Sequence, residues 1–86
     1  MEGDTVTLRE QRDQRRIWLF DQLSRREPVF KALERALREH FQDLDYAKAL
    51  AIAAILDETE ECNLSDLLVV KELINRVRAN EEVMFG

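Results

Sequence analysis

The chain contains few of the residues that interrupt or cross-link a polypeptide. Its 86 residues include two glycines, one proline and one cysteine. An all-β fold needs turn residues about every 8–12 positions, so the scarcity of glycine and proline argues against one. Cys62 is the single cysteine and cannot form a disulfide within the chain, which favours a reducing compartment. We therefore expect a mostly helical protein of the cytoplasm.

Long apolar runs and an excess of basic residues are also missing. No stretch reaches the roughly 18 apolar residues of a membrane span, and no apolar run of the signal-peptide type follows Met1. Acidic residues outnumber basic ones by 18 to 13, for a net charge of -5, which is not typical of nucleic-acid-binding domains. An apolar share of 45% is too high for a disordered chain. We expect a folded domain with no direct partner in nucleic acid or membrane.

Helix start and stop signals predict an all-α fold, a single small bundle of about four helices with mostly antiparallel neighbours. We expect residues 1–6 to fray, 7–80 to form the bundle domain, and 81–86 to form a short tail. Thr7 and Glu10 form a capping-box pattern, which predicts a first helix from Leu8 to about Arg26. Pro28 ends this helix and suits the first position of the next one.

The second and third helices carry the apolar patterns expected of a core. The second, predicted over 28–42, has a row of apolar residues near heptad spacing: Phe30, Leu33, Leu37 and Leu44. The third, predicted from Tyr46 to about Thr59 after a cap at Asp43 or Asp45, has Lys48 as its only charged residue before position 57. A helix that is apolar all round is a buried helix, so we expect the third helix at the centre.

Charge is unevenly distributed along the chain. Residues 43–66 hold seven acidic side chains and one basic one, and we predict an acidic surface formed by Asp57, Glu58, Glu60 and Glu61. The fourth helix is predicted to begin after a cap at Asn63 or Ser65 and to end near Ala79. At the other end of the chain, arginines crowd the start of the first helix.

Four consecutive large apolar residues occupy positions 17–20 of the first helix. Because successive helical residues point about 100° apart, they cover nearly the whole circumference, so either the first helix is sandwiched inside the protein or part of this cluster meets a partner. Tryptophan is often an interface anchor. The predicted partner-binding residues are Ile17, Trp18 and Phe20, with Arg12, Arg15 and Arg16 steering the partner. Burial of Trp18 in the chain's own core is the alternative.

The segment 14–20 also resembles the short motif by which proteins bind sliding clamps. The matching positions of the motif are occupied by Gln14, Ile17, Leu19 and Phe20. The resemblance covers seven of the 86 residues. This resemblance implies a clamp as the partner, with the aromatic side chain inserted into the clamp's pocket.

The residue types that enzymes and metal sites need are sparse. His40 is the only histidine and is expected to pack or to lie at the rim of the second helix. Cys62 has acidic neighbours, which disfavour the thiolate that a nucleophile needs. Asp43 and Asp45 lack the glycine and closing glutamate of a calcium loop. We therefore predict a non-enzymatic protein with no catalytic residues, no metal site and no cofactor.

Three functions remain open. The first is a small interaction module (adaptor, assembly subunit or inhibitor) that binds another protein. The second is an acidic mimic of nucleic acid that inhibits a DNA- or RNA-handling enzyme, with binding that weakens in salt. The third is a structural homo-oligomer that self-associates through the apolar row of the second helix, residues 30–44.

Overall fold

The computed structural model describes the backbone of residues 8–85 and the side chains of Leu8 and residues 10–80. Within these residues it contains four helices and no strand: α1 (Leu8–Arg26), α2 (Pro28–His40), α3 (Leu44–Leu56) and α4 (Leu64–Phe85). The predicted all-α bundle is confirmed. Thr7 of the capping box and the expected fraying of residues 1–6 lie outside the described residues.

The helix starts follow the predicted signals. For α3 and α4, the structure shows which of the two predicted capping residues is used. Glu27 has an extended backbone (φ -113°, ψ 120°), and Pro28 takes the first helical position of α2. Asp43 caps α3, because its carboxylate accepts a hydrogen bond from the Tyr46 backbone N–H at 3.2 Å. Asn63 caps α4 in the same way, through the backbone N–H of Asp66 at 3.1 Å. Each cap satisfies one of the unpaired N–H groups of a first turn.

Helix α1 ends at Arg26 as predicted, whereas the ends of the other three helices differ from the predictions by two to six residues. Helix α2 ends at His40 and not at Gln42. Helix α3 ends at Leu56 because Asp57 adopts a left-handed backbone (φ 61°) and the Glu58 N–H returns to the Ala53 carbonyl at 2.8 Å. This is the hydrogen bond of a Schellman-type helix end. Helix α4 continues to Phe85, because no glycine or proline interrupts it after Ala79.

Helix α3 lies at the centre of the bundle, as its apolar sequence predicts. It contacts α1, α2 and α4, and its residues 47–53 are all buried. Helix α2 also contacts the other three helices, whereas α1 and α4 contact only α2 and α3. Leu33 and Leu37 of α2 are 3% and 0% exposed and belong to the core cluster. The apolar row of α2 therefore faces the chain's own core, and the predicted homo-oligomer through this row is not supported.

Helices α3 and α4 run in the same direction, an exception to the predicted antiparallel arrangement. The Tyr46 hydroxyl donates to the Asp66 carboxylate at 2.7 Å, which joins their first turns. Near the other end of α3, Ile55 borders the same small groove as Ile74 and Val77 of α4. The seven residues 57–63 can span more than 20 Å when extended, enough to return along the roughly 20 Å of α3.

The only charged residue of the central part of α3 is buried and paired. Lys48 is 8% exposed, and its ammonium lies 2.7 Å from the Asp21 carboxylate of α1. A Glu34 carboxylate oxygen of α2 is 4.0 Å away, and the ammonium lies 5.9 Å from the centre of the Phe20 ring. One side chain thus links three helices by charge.

Candidate interaction surface on helix α1

The apolar cluster of α1 divides sharply between core and solvent. Phe20 is fully buried and packs edge-on against Phe30 of α2, with ring centres 5.4 Å apart. Trp18 is 61% exposed. Two residues along a helix turn by about 200°, so these two side chains must point in nearly opposite directions. Leu19 and Ile17 lie between them and are half-buried.

Trp18 lies at the centre of a polar stretch of helix surface. Residues three, four and seven positions away from it share its side of the helix. We call this surface the Trp18 face; it comprises Trp18 with Gln11, Gln14, Arg15, Gln22 and Arg25. Asp21 lies at its edge, with its carboxylate bound to Lys48. The face therefore combines one large exposed ring with long hydrogen-bonding side chains.

Two of the predicted partner-binding residues are inaccessible. Phe20 belongs to the core, which removes it from any preformed contact surface. The same burial contradicts the clamp-motif interpretation, which needs that aromatic ring to leave the fold. Arg16 is only 9% exposed, so it holds the fold together and does not steer a partner.

The Arg16 guanidinium connects α1 to the segment after α3. It donates to the Glu58 carboxylate at 3.2 Å, to the Glu58 backbone carbonyl at 3.3 Å and to Asp13 at 3.3 Å. Its buried Nε has no acceptor within the described residues. Arg12 pairs more loosely with Glu61 at 3.8 Å, and both of these side chains are about half exposed. Of the predicted arginines, Arg15 is the one that lies on the Trp18 face.

The predicted acidic surface is partly neutralised by these arginines. Asp57, Glu58, Glu60 and Glu61 are exposed or nearly so, yet Glu58 and Glu61 engage Arg16 and Arg12 across 42 and 49 positions of sequence. Glu61 has a positive φ of 68°, a left-handed backbone conformation within this segment. Charges that pair within the chain are less available to imitate a phosphate backbone.

A cleft of about 420 Å³ lies between α1, α3 and the segment after α3. Its walls carry both signs of charge, from Arg12, Asp13 and Arg16 of α1 and from Glu60 and Glu61 of the segment after α3. Ala49 and Leu50 of α3 also line it, and no single ligand chemistry matches this mixture.

The remaining candidates for a chemical role are His40, Cys62 and a metal site. His40 is exposed, and its Nδ1 lies 3.0 Å from the Ala36 carbonyl one turn earlier. Cys62 is half-buried beside the cleft. Among the described side chains, no three His, Cys, Asp or Glu residues converge as metal ligands would. No helix in the described part of the chain is both long and apolar enough to cross a bilayer.

Comparison with protein-family models, curated proteins and solved structures finds no match.

Sequence reasoning identified Trp18 and Arg15 but missed most of their neighbours. Gln11, Gln22 and Arg25 were detectable from spacing, since they lie seven, four and seven positions from Trp18. What the spacing could not decide was whether Trp18 or Phe20 faces the core.

Proposed function

We propose that this chain is a small interaction module, an adaptor, assembly subunit or inhibitor that binds another protein through the Trp18 face. The observation that carries the proposal is the 61% exposure of Trp18 in the middle of a 19-residue helix. Tryptophan and arginine are enriched among the residues that dominate binding energy at protein interfaces. A large apolar ring held on a rigid helix loses little conformational entropy on binding.

The surroundings of Trp18 also suit a contact surface. Interface anchors are typically ringed by polar side chains that exclude water from the centre. Gln14 and Gln22 flank Trp18 by one turn on either side and can donate and accept hydrogen bonds. Arg15 and Arg25 supply guanidinium groups that can pair with carboxylates of the bound protein. Action by binding, and not by catalysis, agrees with this arrangement.

The proposed setting is the cytoplasm, because a lone half-buried Cys62 suits a reducing environment. The acidic-mimic function receives less support, since Glu58 and Glu61 are engaged by arginines of the same chain.

Site-specific photocrosslinking tests the proposal in cells that express the chain. A photoreactive phenylalanine analogue replaces Gln14 on the Trp18 face, or Lys71 on α4 as the matched exposed control. We expect a discrete protein adduct from position 14 and none of the same mass from position 71. Equal adducts from both positions, or none from either, would overturn the proposal.

Binding of the purified adduct partner then gives the second measurement. Trp18→Ala should weaken its affinity at least tenfold, as expected for an interface anchor. Leu68→Ala is the control, because Leu68 is 66% exposed on α4, which does not contact α1. Unchanged affinity after Trp18→Ala would contradict the assignment of the face.

A further inference from the structure

The residues between α3 and α4 lie against the bundle with little apolar contact of their own. We call residues 57–63 the strap. None of them is buried, and only Thr59 and Cys62 are partly buried. Of the strap residues, Cys62 packs against the core cluster. Segments with few buried apolar contacts open locally at a smaller cost in free energy than the whole fold.

Polar contacts hold the strap against α1. The Arg16 guanidinium donates to both the carboxylate and the backbone carbonyl of Glu58. Arg12 pairs with Glu61 at 3.8 Å. The side chains of Glu58 and Glu61 are 55% and 56% exposed, so salt in the solvent reaches both pairs and screens them. The attachment of the strap is therefore expected to weaken as ionic strength rises.

The closed position of the strap also has internal costs. Asp57 and Glu61 both have a left-handed backbone, which is unfavourable for a residue with a Cβ atom. Arg16 is 9% exposed, and its Nε has no acceptor within the described residues. A buried donor without an acceptor costs free energy. Release of the strap would let water reach this guanidinium, which lowers the free energy needed for opening.

The helices of the bundle are joined by contacts that do not involve the strap. Helices α3 and α4 contact each other directly, and the hydrogen bond between Tyr46 and Asp66 joins their first turns. The buried α4 residues of the core cluster, Leu67, Val70 and Leu73, all follow the strap in sequence. The strap can therefore leave α1 while the four helices stay packed.

The strap forms one wall of the cleft beside α1, through residues 60–63. Ala49 and Leu50 of α3 line the same cleft and are only 6% and 4% exposed. Movement of the strap away from α1 would widen the cleft. It would also uncover these two apolar residues together with the Arg16 guanidinium.

We propose that the strap is a salt-sensitive gate, which opens and closes on an otherwise folded bundle. The contact between Arg16 and Glu58 holds it closed, and its opening gives access to the cleft and to the Cys62 thiol. Arg16 and Trp18 are two positions apart and so point to nearly opposite sides of α1. This inference therefore does not depend on the proposed function of the Trp18 face.

The rate at which the full chain reacts with a neutral pyridyl disulfide tests the proposal, because Cys62 is its only cysteine. Arg16→Met keeps the apolar stem and removes the guanidinium. It should raise the rate about tenfold, the effect expected when a hydrogen bond to a charged group is lost. Loss of a nearby cation disfavours the thiolate and by itself slows the reaction, so a faster rate reports opening.

Arg76→Met is the matched control. Arg76 pairs with Glu72 on the exposed surface of α4, and its substitution removes the same charge. The rate should then stay within about twofold of that of the unsubstituted chain. Circular dichroism and urea unfolding check that each variant is folded.

Glu58→Gln supplies the test if Arg16→Met does not fold, because the Glu58 side chain is exposed and adds nothing to the core. Its readout is hydrogen exchange of the Cys62 amide, which donates to the Thr59 carbonyl at 3.1 Å. We expect several-fold faster exchange than in the unsubstituted chain, and unchanged exchange would contradict the proposal.

Salt and urea distinguish opening of the strap from unfolding of the chain. Raising NaCl from about 0.02 M to about 0.5 M should increase the thiol reaction of the unsubstituted chain several-fold, and that of Arg16→Met much less. Urea below the unfolding transition should change neither rate, because local opening exposes little surface. A rate that rises with urea as steeply as global unfolding would overturn the proposal. So would equal effects of the two arginine substitutions, or a rate in the unsubstituted chain equal to that of the unfolded chain.

Discussion

Deleting the buried ammonium of Lys48 should change the free energy of unfolding only a little. Removing its main partner, the Asp21 carboxylate, should lower that free energy. Lys48→Met keeps the length of the apolar stem and deletes the charge. The carboxylates that face it, Asp21 and Glu34, are 43% and 28% exposed and so retain hydration after the change. The reverse perturbation, Asp21→Asn, leaves a side chain that is 11% exposed with a carboxylate only at 4.0 Å.

The magnitudes follow from the balance of desolvation and pairing. Replacing a buried ion pair by apolar groups of similar volume is often neutral or stabilising by about 1–4 kcal/mol, but Asp21 stays partly in water here. We therefore expect Lys48→Met to change the free energy of unfolding by less than about 1 kcal/mol. Hydrogen bonds to charged groups contribute about 1.5–3 kcal/mol. Because Glu34 compensates in part, Asp21→Asn should cost about 1–2 kcal/mol.

Urea unfolding followed by circular dichroism measures these differences, and the double variant completes a cycle. In the Lys48→Met background, Asp21→Asn should cost almost nothing, since no buried ammonium remains there to lose its partner. Glu72→Gln is the control: Glu72 pairs with Arg76 at 2.9 Å, but both side chains are more than 60% exposed, so the loss should stay below about 0.5 kcal/mol. A loss above about 2 kcal/mol for Lys48→Met, or equal losses for Asp21→Asn and Glu72→Gln, would refute the reasoning.

Three further predictions follow from the same geometry. Phe20→Ala should lower the free energy of unfolding by about 3–5 kcal/mol, and Trp18→Ala by less than about 1 kcal/mol, in chemical denaturation; equal losses would contradict the opposite placement of the two rings. Asn63→Ala should cost about 1 kcal/mol through the lost cap of α4, whereas Ser65→Ala should not, and the reverse order in thermal melts would assign the cap to Ser65. Asp57→Gly should raise stability by about 0.5–1 kcal/mol, because glycine adopts the φ of 61° without strain; a lower melting temperature would contradict this.

Local signals predicted the helices well because each depends on residues close in sequence. Pro28 ended one helix and began the next, and the apolar stretch around Lys48 identified the central helix. The direction of α4 relative to α3 could not be predicted, since the seven residues 57–63 can either turn tightly or return along α3. The contacts that decide it, such as Tyr46 with Asp66, involve side chains 20 positions apart.

The candidate surface was only partly predictable for the same reason. The run at 17–20 indicated either a helix sandwiched inside the protein or a cluster that partly meets a partner, and the sequence favoured Trp18 as the interface anchor. The burial of Arg16 depends on Glu58, which is 42 positions away. The spacing of residues along one helix gives no indication of a contact with a distant segment, so Arg16 was expected on the surface. The inclusion of Phe20 in the partner-binding set was wrong, because its side chain is fully buried beside Phe30 and Lys48.

The exposure of Trp18 follows from the topology. Helices α1 and α4 lie against the same two central helices without touching each other, so each has one packed side and one outer side. Turning Trp18 inward would require rotating α1 by about half a turn, which would expose Phe20 and break the Arg16 contacts. The fold thus holds Trp18 in water at a fixed position. Because the ring adds little to the core there, we propose that it acts in a contact outside the monomer, and this is why we assign the partner to that face.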